Sequence, residues 1–483
     1  MRRIFALAFL GYFLLAGAWA VALPTNGTYD EKQHLVRAYA VWDGQFLPHG
    51  TAVDGTGLTV GAFDAPRSLL PDKVDCAWRP KPYKPASCQQ PVADRTRVPM
   101  PSSAGRYSPV YYLLAGLPLR LSPDHAGLVW ARLLSAALSG ILLAAALAIA
   151  VRILRNRVLT VALVLVATPT AMNLAGSINP NGLEISAGVL VFVSLLARLR
   201  EGPSRWLSVT FGIASVLLLT IRQLGPLLWL IAVVSCLFLC GSWRSVLRDR
   251  VVVWFSSLGL AGYVGWLLVA GRSDAGTPAS LRTGMGVGDI LRGIVDSRYQ
   301  FYLQQVVGRF DYGETTISTA AVAVWYVLFL ALVLPALWRG GNRLRLAIVG
   351  LALACAVILV GLEIHYVPLV GWFGQTRYVL PVGVGVVLLA GFARGFTLPP
   401  WACVTLVGVP VLIDLYALAR VMTRFQVGID AGMNPLHGTW LPPVGPVVPL
   451  VSCFVGGLLL AVIVGISSVR QPPVPSTVNT GSN

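Results

Sequence analysis

The chain has 483 residues, 56% of them hydrophobic and only 12% charged, with a mean hydropathy of +0.71. A soluble domain carries roughly 25% charged residues, so a water-soluble fold is excluded and a polytopic membrane protein is implied. The formal charge of +17 would suit a nucleic-acid partner, but the arrangement of the arginines makes one unnecessary.

Residues 4–23 form an apolar run of bilayer length. Met1-Arg2-Arg3 before it and Ala18-Trp19-Ala20 near its end resemble a signal peptide. The run exceeds a typical signal core, and an uncleaved first transmembrane helix is expected. Pro24-Thr25-Asn26-Gly27-Thr28 then breaks the helix and brings Tyr29-Asp30-Glu31-Lys32-Gln33-His34 to the membrane–water boundary. Two adjacent carboxylates and an imidazole there make Asp30, Glu31 and His34 the candidate catalytic group. Asp30 with Gln33 also fits a capping box, opening a helix with Leu35, Val36, Tyr39 and Trp42 on its apolar face. Capping accounts for neither Glu31 nor His34.

The polar stretch 24–124 continues with a Gly/Asp-rich section at 50–65 and a Pro-rich section at 78–85. Cys76 and Cys88 within it form a disulfide if the loop faces an oxidising compartment. The other five cysteines lie in or beside apolar segments and read as packing. The segment 108–121 is apolar, tyrosine-bearing and too short to span, which suits an interfacial helix.

Eleven further spans are expected, at 125–151, 158–176, 182–198, 206–221, 224–241, 251–270, 317–338, 345–363, 378–393, 398–418 and 447–468. The fold class is therefore all-α, with about twelve transmembrane helices in a single domain, 1–470, and a disordered tail, 471–483. Alternate short connections hold Arg2 and Arg3, Arg152, Arg155 and Arg157, Arg198, Arg200 and Arg205, Arg244, Arg248 and Arg250, Arg339, Arg343 and Arg345, Arg394 and Arg470. Only Glu201 and Asp249 oppose them. By the positive-inside rule both termini are cytoplasmic and the 24–124 loop is external. This asymmetry absorbs most of the net charge. A second interfacial helix is expected within 290–303.

Trp372-Phe373-Gly374-Gln375-Thr376-Arg377-Tyr378 sets an arginine among aromatics at the outer mouth of a span. A guanidinium can bond two phosphate oxygens at once, although interfacial anchoring also explains such a residue. Arg222 follows the same logic. Arg132 lies inside the second span, where it needs a partner, water or a path to the headgroups. Asn179-Pro180-Asn181-Gly182 reads as a tight external turn, and Glu184 as an acid suited to a helix N-terminus. Glu363, His365 and Asp414 lie near outer helix ends. No phosphate-cradling glycine loop, zinc spacing or nucleophile elbow is present.

Tyr29-Asp30-Glu31, His34 and Arg37-Ala38, Tyr107-Ser108-Pro109 and Tyr112, Asn179-Pro180-Asn181, and Gln375-Thr376-Arg377-Tyr378 with Pro381 resemble a family of bacterial polytopic membrane proteins of unassigned reaction. That family is grouped with the GT-C-type glycosyltransferases, which take sugars from polyprenyl-phosphate donors. The resemblance implies a GT-C-like fold and Asp30 as base or metal holder, with Glu31 assisting. It places Arg377 at the donor phosphate, and Arg222, Gln375 and Tyr378 belong to the same outer group. Thr376 and Asn181 depart from the Gly and Asp common in the family, and the second change weakens a metal role for that turn. No cofactor is required by the residues themselves; a divalent metal is left open by the resemblance. The partners it implies are a polyprenyl-phosphate sugar, an envelope glycan, lipid or protein acceptor, and membrane lipid, at the outer face of the bacterial cytoplasmic membrane. A glycolipid flippase would use the same outer cavity without the chemistry, and an envelope scaffold would have no cavity at all.

Overall fold

A computed structural model describes residues 1–470 except 55–56, 58, 79–82, 242, 272–283 and 311–312. The expected tail lies outside the described residues. Helix α1 (Arg2–Ala22) ends at Leu23, and the turn after it leads into α2 (Glu31–Trp42). Strands β1 (Gly50–Val53), β2 (Thr59–Pro66) and β3 (Arg97–Ser102) form an antiparallel sheet in the order β1-β2-β3, with Gly50 opposite Ala62 and Phe63 opposite Met100. Short helices α3 (Val110–Ala115) and α4 (Leu117–Leu121) precede α5 (His125–Arg152), α6 (Arg157–Leu165), α7 (Pro169–Ala175) and α8 (Pro180–Glu201). Then come α9 (Arg205–Ile221), α10 (Gly225–Cys240), α11 (Trp243–Leu247) and α12 (Arg250–Ala270). Beyond the second loop lie α13 (Val287–Gly293), α14 (Tyr299–Val307), the strand pair β4 (Arg309–Phe310) and β5 (Thr315–Thr316), and helices α15 (Thr319–Arg339) and α16 (Asn342–Val370). The short helices α17 (Leu380–Gly383) and α18 (Gly385–Leu388), then α19 (Pro400–Val427) and α20 (Val447–Arg470), complete the described chain.

Each apolar segment read from the sequence is helical here. Eight described helices, α1, α5, α8, α12, α15, α16, α19 and α20, are long and apolar enough to cross a membrane. Helices α9 and α10 and the segment Leu380–Phe392 are apolar but shorter. Two expected spans need correction. The segment 158–176 is not one helix: α6 and α7 are bent by 67° where Thr168 caps α7 and Pro169 supplies its first turn, a position at which a missing N–H costs nothing. The segment 378–393 is not one regular helix: α17 and α18 meet at Val384, and a 3-10 turn, Leu389–Phe392, follows them. The span expected at 398–418 runs on to Val427. The sheet was not anticipated at all. It packs on α2, where Phe63 lies 5.3 Å below the Arg37 guanidinium.

Helix α8 is almost wholly buried, whereas α12 turns most of its length outward. Two glycines allow close approaches between segments far apart in sequence. Gly456 of α20 meets the Gly11 carbonyl of α1, and Gly188 of α8 meets the Pro381 carbonyl; a Cβ at Gly188 would lie 2.1 Å from that oxygen. The second contact brings the Leu380–Phe392 segment, and Arg377 just before it, against the most buried helix.

Arg132 of α5 is 1% exposed and joins the start of α2 to the end of α1. Its guanidinium donates to Glu31 Oε1 at 2.7 Å and to Glu31 Oε2, and also to the carbonyls of Ala20 (3.2 Å), Leu23 (2.8 Å) and Pro24 (2.7 Å). The Ala20 carbonyl is among the acceptors a helix leaves unpaired at its C-terminus, and the other two lie at the cap and just beyond it. Glu31 also accepts from the Ile178 amide at 3.2 Å. Removing one partner of such a buried pair costs about 3–5 kcal/mol. Glu31→Gln should therefore lower the melting temperature sharply in detergent, and adding Arg132→Leu should restore part of the loss. A single variant that melts like the wild type would contradict this role.

Candidate functional site

Asn26 and Asp30 both adopt positive φ, 61° and 55°, a region that Asn and Asp tolerate better than most residues. The turn between α1 and α2 is pinned from several sides. Asn26 Nδ2 donates to Asp75 at 3.1 Å, Trp78 Nε1 to the Asn26 carbonyl at 3.0 Å, and Asn179 Nδ2 to the Tyr29 carbonyl at 2.8 Å. Cys76 and Cys88 are disulfide-bonded beside this turn, with Cα atoms 6.1 Å apart. Because of its left-handed backbone, Asp30 accepts no capping hydrogen bond, so the capping box does not form. Its carboxylate instead meets the guanidinium of Arg377, 347 positions away.

Arg377 sits on a single 3-10 turn, Thr376–Tyr378. The Thr376 amide donates to Gln305 Oε1 at 2.7 Å, its hydroxyl to the Tyr302 carbonyl at 2.9 Å, and Gln305 Nε2 to Gln375 Oε1 at 3.3 Å. Gln375 is thus tied to α14 rather than turned toward Arg377. Glu363 supports the same segment, accepting from the Phe373 amide at 3.0 Å and from Tyr302 and Arg298. Arg377 is 1% exposed, lies 4.6 Å from the Tyr29 ring centre, and has no acceptor at Nε or Nη1 among the described residues. Asp30 remains 35% exposed. A reachable carboxylate thus lies over a buried cation with two spare donors.

Arg222 approaches from the other side. It donates to Asn181, lies 4.7 Å over the Tyr378 ring and 5.4 Å from Tyr107, and comes within 3.9 Å of Glu184. The Asn-Pro-Asn segment is therefore no exposed turn. Asn179 caps α8 through the Asn181 amide, and all four residues from Asn179 to Gly182 are buried beneath the site. Polar side chains in a segment flanked by apolar helices were the available signal for this cluster. His34 shares a hydrogen bond of 2.8 Å with the Tyr112 hydroxyl, while Glu31 is held by Arg132. The structure gathers Asp30, His34, Arg222, Arg377 and Tyr378 into one charged group and sets Glu31 and Gln375 behind it, as supports.

Burial pushes the Asp30 carboxyl up, but Arg377, His34 and Arg222 outweigh it and hold the group below the usual carboxylate range. Burial drives His34 down to about 3, helped by Arg222 and Arg377 and opposed by Asp30. Both effects leave an ionised acid beside a neutral imidazole at neutral pH. Among the described residues no three His, Cys, Asp or Glu side chains converge as a metal site. Glu31 is bound by Arg132, His34 by Tyr112 and Asp30 by Arg377, so the acid group does not fit a divalent cation.

Beside the Arg377 turn lies an apolar cavity of about 510 Å³. Tyr302, Trp325, Phe329, Leu359, Thr376 and Val379 are among its lining residues. The last two bracket Arg377 and Tyr378 in sequence, so the cavity abuts the charged group.

These features define a multi-pass helical membrane protein with an acid–arginine pair beside an apolar cavity. The chain belongs to the family described as predicted membrane protein (DUF2142), whose model matches residues 13–386, in accord with the resemblance carried by the Asp30 and Arg377 motifs. Two solved structures are similar across most of the chain at 15% identity, both crystal structures of ArnT from Cupriavidus metallidurans. The one bound to undecaprenyl phosphate has a TM-score of 0.42, covering 97% of this chain and 77% of that one. The apo state has a TM-score of 0.38, covering 94% and 75%. No curated protein matches the chain.

A buried neutral His34 has a testable consequence for stability. Its folded value lies below that of an exposed histidine, so between about pH 6.5 and about pH 3 the unfolded chain binds the extra proton. Stability should fall as pH falls through that window, by up to about 1.4 kcal/mol per pH unit. Asp30, also depressed, contributes only lower down, its pairing being lost below the ordinary carboxylate range. Thermal unfolding of wild type between pH 7 and 5 should decline more steeply than that of His34→Asn. Parallel curves would show that His34 does not titrate on unfolding as argued.

Proposed function

We propose that the chain is a GT-C-type glycosyltransferase working at the outer face of a bacterial cytoplasmic membrane, with both termini cytoplasmic. It moves a sugar from a polyprenyl-phosphate donor to an envelope acceptor. The observation that carries this reading is the meeting of Asp30 with a buried Arg377 beside an apolar cavity. A polyprenyl tail matches the cavity, and a phosphate matches the spare Nε and Nη1 donors of Arg377.

The ion pair itself suggests the order of events. While Arg377 holds Asp30, the carboxylate is a weak base. A donor phosphate arriving at Arg377 competes for the guanidinium and frees Asp30, whose affinity for a proton then rises. Asp30 takes the proton from an acceptor hydroxyl as that oxygen forms a bond to C1. The bond from C1 to the phosphate oxygen breaks, and the electron pair leaves on polyprenyl phosphate, whose charge Arg377 and Arg222 face. A single displacement inverts C1. The base accounts for about 10²–10⁴-fold of the rate. Glu31 serves through Arg132 by holding the turn, and no step requires a metal.

A flippase reading draws on one observation, the bend between α6 and α7, because Val166 and Thr168 at that break line the cavity. Transfer separates the two. Asp30→Asn keeps a residue suited to positive φ but cannot accept the proton. Transfer from a polyprenyl-phosphate sugar should drop by about two orders of magnitude or more at equal folded amounts. Near-equal rates would discard Asp30 as the base, and lipid translocation without any transfer would favour the flippase.

The orientation is tested separately. Val53 and Asn342 are exposed, so cysteines placed there should react from outside and only after permeabilisation, respectively. The reverse pattern would overturn the topology.

A further inference from the structure

Glu184, in the second turn of α8, is 1% exposed, yet neither carboxylate oxygen has a hydrogen-bond partner among the described residues. A buried acceptor left unpaired costs about 1–3 kcal/mol, and more when charged. The Arg222 guanidinium stands 3.9 Å off, too far to bond, and is spent on Asn181 and on the faces of Tyr107 and Tyr378. Glu184 lines a cavity of about 90 Å³ together with Tyr107, Arg222, Tyr366, Phe373 and Tyr378. A carboxylate beside several aromatic rings suits a ring with apolar faces and hydroxylated edges.

The turn around Arg377 serves both cavities. Thr376 and Val379 line the apolar one and bracket Arg377 and Tyr378, of which Tyr378 lines the Glu184 one and Arg377 meets Asp30. A lipid-linked sugar has three parts to match: an apolar tail, a phosphate and a ring. We propose that the Glu184 cavity is the seat of the donor's sugar ring, with the carboxylate accepting from two neighbouring hydroxyls. The class of sugar is a neutral pyranose. This inference rests on the proposed function and names the substrate class of that site.

The test is binding by the full chain in nanodiscs, with two sets of probes: bare polyprenyl phosphate, and the same lipid phosphate carrying glucose, galactose or mannose. Wild type should bind at least one hexose form about tenfold or more tighter than the bare lipid, the scale of a charge-assisted hydrogen bond. Glu184→Gln and Glu184→Leu should lose that increment while keeping wild-type affinity for the bare lipid. An increment that survives both substitutions, or no increment for any hexose in wild type, overturns the sugar seat and leaves the transferase reading in place. Equal weakening toward both probes, with a fall in melting temperature, overturns it too, because Glu184 would then serve only to hold Arg222. Failure of folded wild type to bind bare polyprenyl phosphate removes the proposed function and the seat together.

Discussion

A buried arginine has few ways to exist near a bilayer, and Arg132 uses one that organises its surroundings. On insertion scales an arginine at a helix centre costs about 2.5–3.5 kcal/mol, so it must be surrounded by acceptors. Here they come from the Glu31 carboxylate and from three carbonyls at and just after the end of α1. The same contacts end one helix, begin the next and fix the path between them. Asp30 immediately precedes Glu31, and its left-handed backbone is held by this clamp on one side and by Asn179 at Tyr29 on the other. Backbone strain at such a position persists only when its neighbours over-determine it. The placement of Asp30 is thus a consequence of satisfying Arg132.

Buried and half-buried arginines recur around the Asp30–Arg377 group, and their partners divide them by use. Arg37 lies within 6 Å of Phe63, Tyr112 and Trp266 and donates to two carbonyls, at Gln45 and Tyr107. Arg298 is set among Phe301, Tyr302 and Trp372 and pairs with Glu363. Stacking a guanidinium on rings lets a weakly hydrated cation be buried at tolerable cost. Arg377 follows the same pattern on Tyr29 but leaves two guanidinium nitrogens unpaired among the described residues, where Arg37 and Arg298 each leave one. Charge and ring stacking alone do not set Arg377 apart; having two unpaired nitrogens among the described residues does.

Much of this was legible in the sequence, and the limits have physical causes. Long apolar runs dictate membrane helices, so the spans were readable, and Asp30 and Arg377 stood out as charges at one depth. The partner of Arg132 was not readable, because it lies 101 positions away and only packing brings it near. The capping signature at Asp30 and Gln33 failed because it assumes extended backbone at the cap, and positive φ points the carboxylate elsewhere. The sheet escaped notice because its strands lack clean alternation: β2 reads TVGAFDAP and β3 carries two prolines. Glu184 looked sufficient as an acid in a helix's first turn, and sequence cannot show that its oxygens lack partners.

The pairing of α1 with α20 bears on how the molecule is made. These two helices pack along each other, with Gly11 and Gly456 at the crossing, although about 400 residues separate them. At about 5–20 residues per second, α1 leaves the ribosome tens of seconds before α20 exists. Through that interval the α1 face that will meet α20 lacks that partner. The bundle is therefore sealed by its latest-made described helix, and a ribosome that stalls before Val447 leaves a product with an open seam, a mark by which membrane quality control can recognise it.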